Sequence, residues 1–259
     1  MGYPYCLYRL SAIGSSANAI GDPTMRLLLL SNSTNFGGTF LGHAGDWLRA
    51  HFTGVRSVLF VPFAAVRFSY DEFVRKVAEK LGPLGVDVRG IHAAADPVAA
   101  VRGAEAIAVG GGNTFQLLAR MYDLDLIAPI RERVRAGMPY VGWSAGANVA
   151  GPTIRTTNDM PVVEPRSLNA LGLIPFQLNP HFTDAVIPNH GGETRSERLL
   201  EFLELNRTMP VLALREGTAL QVEGSRMTLL GEQPGRGFVH GREPWEVAPG
   251  SVTDFPKGQ

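Results

Sequence analysis

Short apolar runs alternate with longer amphipathic segments along most of this chain. Five apolar runs from Met25 onward have the length of a buried β-strand. Between them, apolar residues recur at every third or fourth position, which is the spacing of a helix with one buried face. The predicted strands are MRLLLL (25–30), SVLFVPF (57–63), GVDVRGI (85–91), AEAIAVG (104–110) and PYVGW (139–143). The predicted helical segments lie within 39–52, 69–85, 96–103 and 114–137.

Strands that alternate with crossover helices predict an α/β fold, with a mostly parallel sheet and helices on both faces. Ligands of such sheets bind beyond the carboxyl ends of the strands. The regular pattern ends after Ala150, where residues 151–175 contain four prolines and no clear periodicity. A loop of this length in a compact domain is usually functional or disordered.

The last part of the chain has a different pattern. FQLNPHF (176–182) predicts a short strand, and a helix is predicted from about Gly191 to Leu205. Four strand-like runs with hairpin-type turns follow, and they predict antiparallel C-terminal strands at a sheet edge or in a small second layer. These runs are PVLALRE (210–216), ALQVEG (219–224), RMTLLGE (226–232) and GFVHG (237–241).

Length and composition limit the organisation of the chain. With 259 residues, 45% of them hydrophobic, we expect residues 25–259 to form a single α/β domain. Residues 1–24 lack periodicity, and we expect a poorly ordered N-terminal extension. A secretory signal is the alternative, because ANA (17–19) resembles a cleavage site, but Arg9 is the only basic residue there and glycine and serine break the apolar run.

Charge and cysteine content exclude several classes of partner. The 24 basic and 24 acidic residues give a net charge of zero, so no overall field attracts nucleic acid or an anionic membrane. Cys6 is the only cysteine, which excludes an internal disulfide. No apolar run approaches the roughly 20 residues that cross a bilayer. We therefore expect a soluble cytoplasmic protein with a small-molecule partner.

The sequence GWSAG (142–146) places Ser144 between glycines, after a predicted strand and before a helix-like segment. This G-x-S-x-G spacing is typical of a nucleophile elbow, in which small neighbours allow a strained turn to present the serine above the sheet. The N–H of Ala145, which directly follows the serine, is then one donor of an oxyanion hole.

The loop AVGGGNTF (108–115) also follows a predicted strand and opens a helix. Its glycines allow backbone N–H groups to approach a ligand, so this loop is a candidate for the second oxyanion donor. A dinucleotide-binding fingerprint is an alternative, but Phe115 occupies the third glycine position and no acidic residue follows on a clear second strand. A tight strand-to-helix turn without a ligand is a further alternative.

A serine nucleophile needs a base, and histidine is the usual one at neutral pH. His181 lies at the carboxyl end of a predicted strand, which we expect to end at the ligand-binding rim of the main sheet, and it is the first choice, with His190 as the second. The remaining histidines have positions more typical of packing or of the surface. These are His43, His51, His92 and His240.

A carboxylate that orients the imidazole would complete the catalytic group. Asp159 and Glu164 lie between Ser144 and His181, and Asp159 is preferred because its polar neighbours and a following proline restrict it. The order Ser, Asp, His is that of α/β-hydrolases, although the interval of 37 residues from serine to histidine is short for that fold. Glu216, at another strand end, is the competing carboxylate.

These motifs together resemble the S51 family of serine peptidases, the α-aspartyl dipeptidases, from about Met25 to Gly231. The resemblance rests on LLLLSNST, VGGGNTFQLL, GWSAGAN, PTIRTTNDMP, NPHF and GETR. It implies a fold related to class I glutamine amidotransferases, cleavage of dipeptides with amino-terminal aspartate, and no metal or cofactor. The implied nucleophile, base and acid are Ser144, His181 and Asp159, and the implied oxyanion donors are Gly112 and Ala145. Glu216 matches a family glutamate that is the alternative partner.

Selectivity for aspartate requires a cation where the substrate carboxylate lies, because burial of an unpaired charge costs several kcal/mol. Arg195 in the GETR motif is the first choice, since a guanidinium can bind a carboxylate through two hydrogen bonds. Asn113 and His190 could add hydrogen bonds, and Glu216 could meet the free amine. Arg195 could instead cap or pair within its own helix.

Three hypotheses about function therefore remain at the level of sequence. The first is an α-aspartyl dipeptidase that acts on a small acidic dipeptide, as a monomer or homodimer. The second is a relative that acts on isoaspartyl or polyaspartyl bonds, like cyanophycinase. The third is a catalytically silent protein that binds acidic dipeptides, against which the joint presence of Ser144, Asp159 and His181 argues.

Overall fold

The structure is a computed structural model that describes residues 24–185, 188–189, 191–252, 255–256 and 258. These residues form twelve β-strands and seven α-helices. The strands are β1 (Arg26–Leu30), β2 (Ser57–Val61), β3 (Asp87–Gly90), β4 (Ile107–Val109), β5 (Tyr140–Trp143), β6 (Gln177–Phe182), β7 (Val211–Arg215), β8 (Ala219–Glu223), β9 (Arg226–Leu230), β10 (Gly235–Phe238), β11 (Trp245–Val247) and β12 (Gly250–Ser251). The helices are α1 (Gly45–His51), α2 (Tyr70–Leu81), α3 (Pro97–Gly103), α4 (Thr114–Asp123), α5 (Ile127–Arg135), α6 (Ala145–Asn148) and α7 (Arg195–Leu205).

The larger sheet of the described residues has eight strands in the order β12-β9-β8-β1-β5-β4-β2-β3. Strands β1, β5, β4, β2 and β3 are mutually parallel, as the alternating pattern predicts. Strands β8, β9 and β12 extend the sheet on the β1 side as antiparallel neighbours. Strand β5, which precedes the GWSAG turn, therefore lies centrally between β1 and β4, and the predicted fold class is confirmed.

Both faces of the central parallel strands β1, β4 and β5 are buried. In β1, Leu27 and Leu29 belong to one apolar cluster and Leu28 and Leu30 to another, as expected when successive strand side chains point to opposite faces. The first cluster includes buried side chains of α3, α4 and α5, and the second includes those of α1 and α2. Burial on two faces explains why these strands are continuously apolar rather than alternating.

Two of the predicted helical segments differ from the structure in their bounds. The helix predicted from about Gly191 begins at Arg195, because Thr194 and Glu197 form a reciprocal capping box. The segment predicted as helical over 114–137 forms two helices, α4 and α5. The chain breaks between them at Asp125, which has a φ of 51°.

The smaller described sheet has four strands in the order β11-β10-β7-β6. Strands β6 and β7 are parallel, with α7 as their crossover, while β10 pairs antiparallel with β7 and β11. We expected the strand that carries His181 to end at the rim of the main sheet, but β6 belongs to this second sheet. Buried hydrogen bonds join the two sheets, because Asn148 Nδ2 donates to the Leu178 carbonyl and Ser31 Oγ to that of Leu214.

The predicted N-terminal extension falls almost entirely outside the described residues. Within the part that the structure describes, no helix is long and apolar enough to cross a membrane.

Candidate active site

Ser144 occupies a strained turn between β5 and α6. Its φ of 53° and ψ of −114° are unusual for a residue with a side chain, and such angles persist only where surrounding structure enforces them. A Cβ atom on Gly146 would lie 2.1 Å from the Val109 carbonyl oxygen, so only glycine allows α6 to pack this close to β4. The backbone N–H of Ser144 donates to the Leu30 carbonyl at 3.1 Å, which ties the turn to β1. The serine thus stands at the carboxyl edge of the main sheet.

His181 reaches Ser144 from the second sheet. Its Nε2 lies 2.9 Å from Ser144 Oγ, and its Nδ1 lies 2.7 Å from Glu216 Oε1. The backbone at His181 has a φ of 55° at an irregularity of the β6–β7 pairing, and its N–H donates to Ser31 Oγ at 2.9 Å. This arrangement can deprotonate a serine and hold the imidazole in one tautomer, as nucleophile, base and orienting carboxylate do in serine hydrolases.

The carboxylate beside His181 is Glu216 and not Asp159, which differs from the preferred prediction. Glu216 directly follows β7, the parallel neighbour of β6, so two adjacent strand ends bring glutamate and histidine together. Asp159 is held elsewhere, because its Oδ2 accepts hydrogen bonds from Thr114 N at 2.7 Å and Thr114 Oγ1 at 2.5 Å. Glu164, the other candidate acid in this loop, is exposed.

The glycine loop after β4 packs against the nucleophile. A Cβ atom on Gly111 would lie 2.9 Å from Ser144 Cβ, and Gly112 has a φ of 138°. Among the described residues, the N–H of Gly112 has no hydrogen-bond acceptor. Ala145 is the first residue of α6, so its N–H has no acceptor within that helix. These two positions remain the predicted oxyanion donors.

Arg195 lies close to the pocket beside Ser144. It is the first residue of α7, and its guanidinium donates a short hydrogen bond to Asn158 Oδ1, a residue of the loop that carries Asp159. Burial lowers the pKa of Arg195, and the nearby Arg198 charge adds to the effect. No ion pair joins Arg195 to an acidic side chain among the described residues, and its role in substrate binding stays a prediction.

Asn113 and His190 are the two other residues that were predicted to add hydrogen bonds to a substrate. Both ends of the Asn113 amide are already used, because Oδ1 accepts from Gln116 N and Nδ2 donates to the Met160 carbonyl. Asn113 therefore caps α4 and anchors the neighbouring loop, and its contact with a substrate stays a prediction. His190 lies outside the described residues.

A narrow pocket beside Ser144 is lined by residues from both sheets and from the loop after α6. Besides Ser144 and His181, it is lined by Asn148, Asn158 and Asp159. A larger polar cavity of about 400 Å³ opens beside Glu216 and Arg215 and does not include Ser144. Among the described residues, no group of three or more His, Cys, Asp or Glu side chains is placed to hold a metal ion.

Several polar residues of the site were missed from the sequence. Ser31 links His181 to β7, and Asn158 links Arg195 to β6 through its bonds to the Pro180 carbonyl and to Asn179. The only available signal was position, since Ser31 follows a buried strand and Asn158 precedes Asp159 in the long loop.

A family model described as peptidase family S51 matches residues 27–230. Proteins called Peptidase E from Shewanella amazonensis and Salmonella typhimurium are each 50% identical to the chain. The matches cover 81% and 85% of this chain and 89% and 96% of those proteins, respectively.

Two solved structures share the fold at low sequence identity. A peptidase from an acI-B1 actinobacterium has a TM-score of 0.65 at 18% identity, over 88% of this chain and 96% of that one. A putative peptidase E from Listeria monocytogenes EGD-e has a TM-score of 0.63 at 22% identity, over 80% of this chain and 98% of that one.

Proposed function

Because this chain belongs to peptidase family S51, we propose that it is a serine dipeptidase that hydrolyses dipeptides with an amino-terminal L-aspartate. One observation carries the catalytic part of the proposal, namely the continuous contact from Glu216 through His181 to Ser144 at a strained strand-to-helix turn. The aspartate preference rests on the relatives called Peptidase E and on the free charge of Arg195.

In the proposed reaction, Ser144 Oγ attacks the peptide carbonyl carbon while His181 Nε2 accepts the hydroxyl proton. Glu216 accepts a hydrogen bond from Nδ1 and stabilises the imidazolium that forms. The Gly112 and Ala145 N–H groups bind the oxyanion. His181 then donates its proton to the leaving amine, which frees the second residue and leaves an acyl-enzyme on Ser144. Water, activated by His181, hydrolyses this ester.

The proposed specificity follows from charge. A substrate carboxylate loses its hydration on entering the pocket, and a cation must compensate for this loss. The Arg195 guanidinium currently binds the neutral Asn158 side chain and has unused donors. It can thus donate two hydrogen bonds to a carboxylate without breaking an ion pair.

We also propose that the substrate is a free acidic dipeptide of the cytoplasm and that neither nucleic acid nor a membrane is a partner. The balanced charge of the chain supports this proposal, since no excess of either sign attracts such polymers. The proposal applies equally to a monomer and to a homodimer.

Hydrolysis of matched dipeptides tests the proposal. We expect turnover of α-linked Asp-Leu by the wild type, little turnover of β-linked Asp-Leu, Asn-Leu, Glu-Leu or Leu-Leu, and none by Ser144→Ala. Turnover of the β-linked dipeptide alone would support an isoaspartyl hydrolase instead. Binding of Asp-Leu without turnover by the wild type would support a silent binding protein.

A further inference from the structure

The carboxylate of Asp159 is a negative charge that the catalytic contact does not use. It lines the pocket beside Ser144, and its Oδ2 accepts from Thr114 N, Thr114 Oγ1 and Thr157 Oγ1. All three bonds go to the same oxygen, while Oδ1 has no hydrogen-bond partner among the described residues. Nor does an ion pair join Asp159 to a described lysine, arginine or histidine. A half-buried carboxylate in this state can still bind a cation.

A second unused acceptor lies in the same pocket. Asn148 is 1% exposed, and its Nδ2 donates to the Leu178 carbonyl at 2.8 Å. Its Oδ1 is buried without a hydrogen-bond partner. A buried acceptor without a partner costs free energy, and a ligand that donates a hydrogen bond would recover it. A carboxylate and an amide oxygen beside one nucleophile together suit a ligand group that is cationic and has several N–H donors.

We propose that Asp159, assisted by Asn148, binds the α-ammonium group of the substrate's first residue and so makes the enzyme an aminopeptidase for free dipeptides. The inference rests on the proposed function. In such a substrate the α-nitrogen is only two bonds from the carbonyl carbon that Ser144 attacks, so its binding site must lie in the same pocket. Arg195, which bonds to the pocket residue Asn158, then binds the side-chain carboxylate. A negative charge in the pocket and a positive charge beside it thus match the opposite charges on the substrate.

The test compares two ligands that differ only in the α-amine, Asp-Leu and succinyl-Leu, in a Ser144→Ala background that prevents turnover. Calorimetry measures their dissociation constants with and without Asp159→Asn, which removes the charge at nearly constant shape. We expect Asp159→Asn to weaken the binding of Asp-Leu about 10- to 100-fold, the range for loss of a charge-assisted hydrogen bond. The binding of succinyl-Leu should weaken less than about threefold. Glu164→Gln removes an exposed charge from the same loop and should change neither constant.

The other outcomes are decisive. The inference would be overturned if Asp159→Asn weakened the binding of both ligands equally or weakened the binding of neither. If this variant does not fold, Asp159→Glu replaces it. The added methylene should then weaken the binding of Asp-Leu more than that of succinyl-Leu. An equal effect on the two ligands would count against ammonium binding by Asp159. Failure of the proposed function looks different, because the wild type would then not hydrolyse Asp-Leu, and the inference would fall with it.

Discussion

Glu216, and not the preferred Asp159, is the carboxylate that lies beside His181. Its Oε1 lies 2.7 Å from His181 Nδ1, while the side chain remains 51% exposed. Glu216→Gln should therefore leave the fold stable but remove the charge that stabilises the imidazolium and selects its tautomer. We expect kcat for Asp-Leu to fall about 10³- to 10⁴-fold with little change in KM, by analogy with loss of the orienting acid in other serine hydrolases.

Steady-state kinetics at neutral pH would measure this loss, with Glu232→Gln as the control. Glu232 is exposed and has no polar contact among the described residues, so its variant should keep wild-type kinetics. A Glu216→Gln variant within tenfold of the wild-type kcat would contradict the role of Glu216. A larger loss in Asp159→Asn would assign the orienting role to Asp159 after all.

Arg195 carries the prediction about specificity. Arg195→Ala should lower kcat/KM for Asp-Leu about 100-fold, because the substrate carboxylate would lose a charge-assisted contact. The preference for Asp-Leu over Asn-Leu should fall with it, since the neutral amide gains less from the guanidinium. Arg198→Ala, an exposed arginine on the same helix, is the matched control and should preserve the preference. An unchanged preference in Arg195→Ala would move the specificity role to another residue.

The sequence singled out Ser144 and His181, which the structure brings into contact, but not the acid that lies beside the histidine. Ser144 could be singled out because the glycines around it indicate a strained local turn. The choice between Asp159 and Glu216 depends on which strand lies beside β6, and no local pattern encodes that neighbour. Glu216 is 35 residues from His181 in sequence, so only the parallel pairing of β6 and β7 brings them together.

At the scale of elements, an ion-pair network holds the ends of β6 and β7 together behind His181 and Glu216. Arg215 is 13% exposed and binds Asp184 Oδ2 at 2.5 Å and Glu246 Oε2 at 2.8 Å. Hydrogen bonding to Glu246 is the main cause that raises the pKa of Arg215, and Asp184 adds to it. Because Asp184 follows β6 and Arg215 ends β7, this network fixes the two strand ends relative to each other.

Arg215→Met should therefore affect both stability and catalysis. Asp184 and Glu246 are about half exposed and would keep Arg236 as a partner, but the Pro234 carbonyl would lose its hydrogen bond from Arg215. We therefore expect about 1–2 kcal/mol of destabilisation. We also expect kcat to fall about tenfold, because Glu216 is the next residue and small displacements of catalytic groups are costly. Urea unfolding and kinetics on the same preparation would measure the two effects.

The matched control for this element is Arg226→Met. Arg226 pairs with Glu223 on an exposed hairpin, with side-chain exposures of 69% and 44%. Exposed pairs contribute about 0–1 kcal/mol, so this variant should be nearly neutral. Equal effects of the two substitutions would show that the Arg215 network does not hold the strand ends.

Elements that a repeating pattern defines could be predicted, and their partners could not. The five parallel strands appear where the apolar runs indicate. Strands β1, β4 and β5 are buried on both faces, whereas the edge strand β3 alternates exposed and half-buried residues. The same reasoning placed β6 with the main sheet, since a short apolar strand gives no sign of its neighbours. Its assignment to the second sheet depends on its parallel pairing with β7, in which Leu178 lies opposite Leu212.

At the scale of the whole molecule, the candidate site exists only where the two sheets meet. Ser144 comes from the main sheet, whereas His181 and Glu216 come from the second. Activity should consequently depend on the packing of the entire molecule. Conditions that loosen this packing should abolish turnover even if each sheet keeps its strands.

A buried histidine predicts one such condition. Burial, together with the nearby Arg26 charge, lowers the pKa of His51 to about 3. In the unfolded chain its pKa is about 6.5, so below that pH the unfolded state binds a proton that the folded state does not. Folding stability is then fully present above pH 6.5 and is lost as the pH falls towards 3, by up to about 1.4 kcal/mol per pH unit.

Urea unfolding between pH 7 and pH 4.5 would measure this loss in the wild type and in His51→Gln, which cannot titrate in this range. The substitution could lower stability at every pH, so the slope against pH is the informative quantity, and His51→Gln should have the shallower slope. His240→Gln removes a histidine from a more exposed position and should keep a slope closer to that of the wild type. If all three proteins lost stability equally with acid, the acid sensitivity would belong to other groups, and the burial of His51 would not set the lower pH limit of the two-sheet assembly.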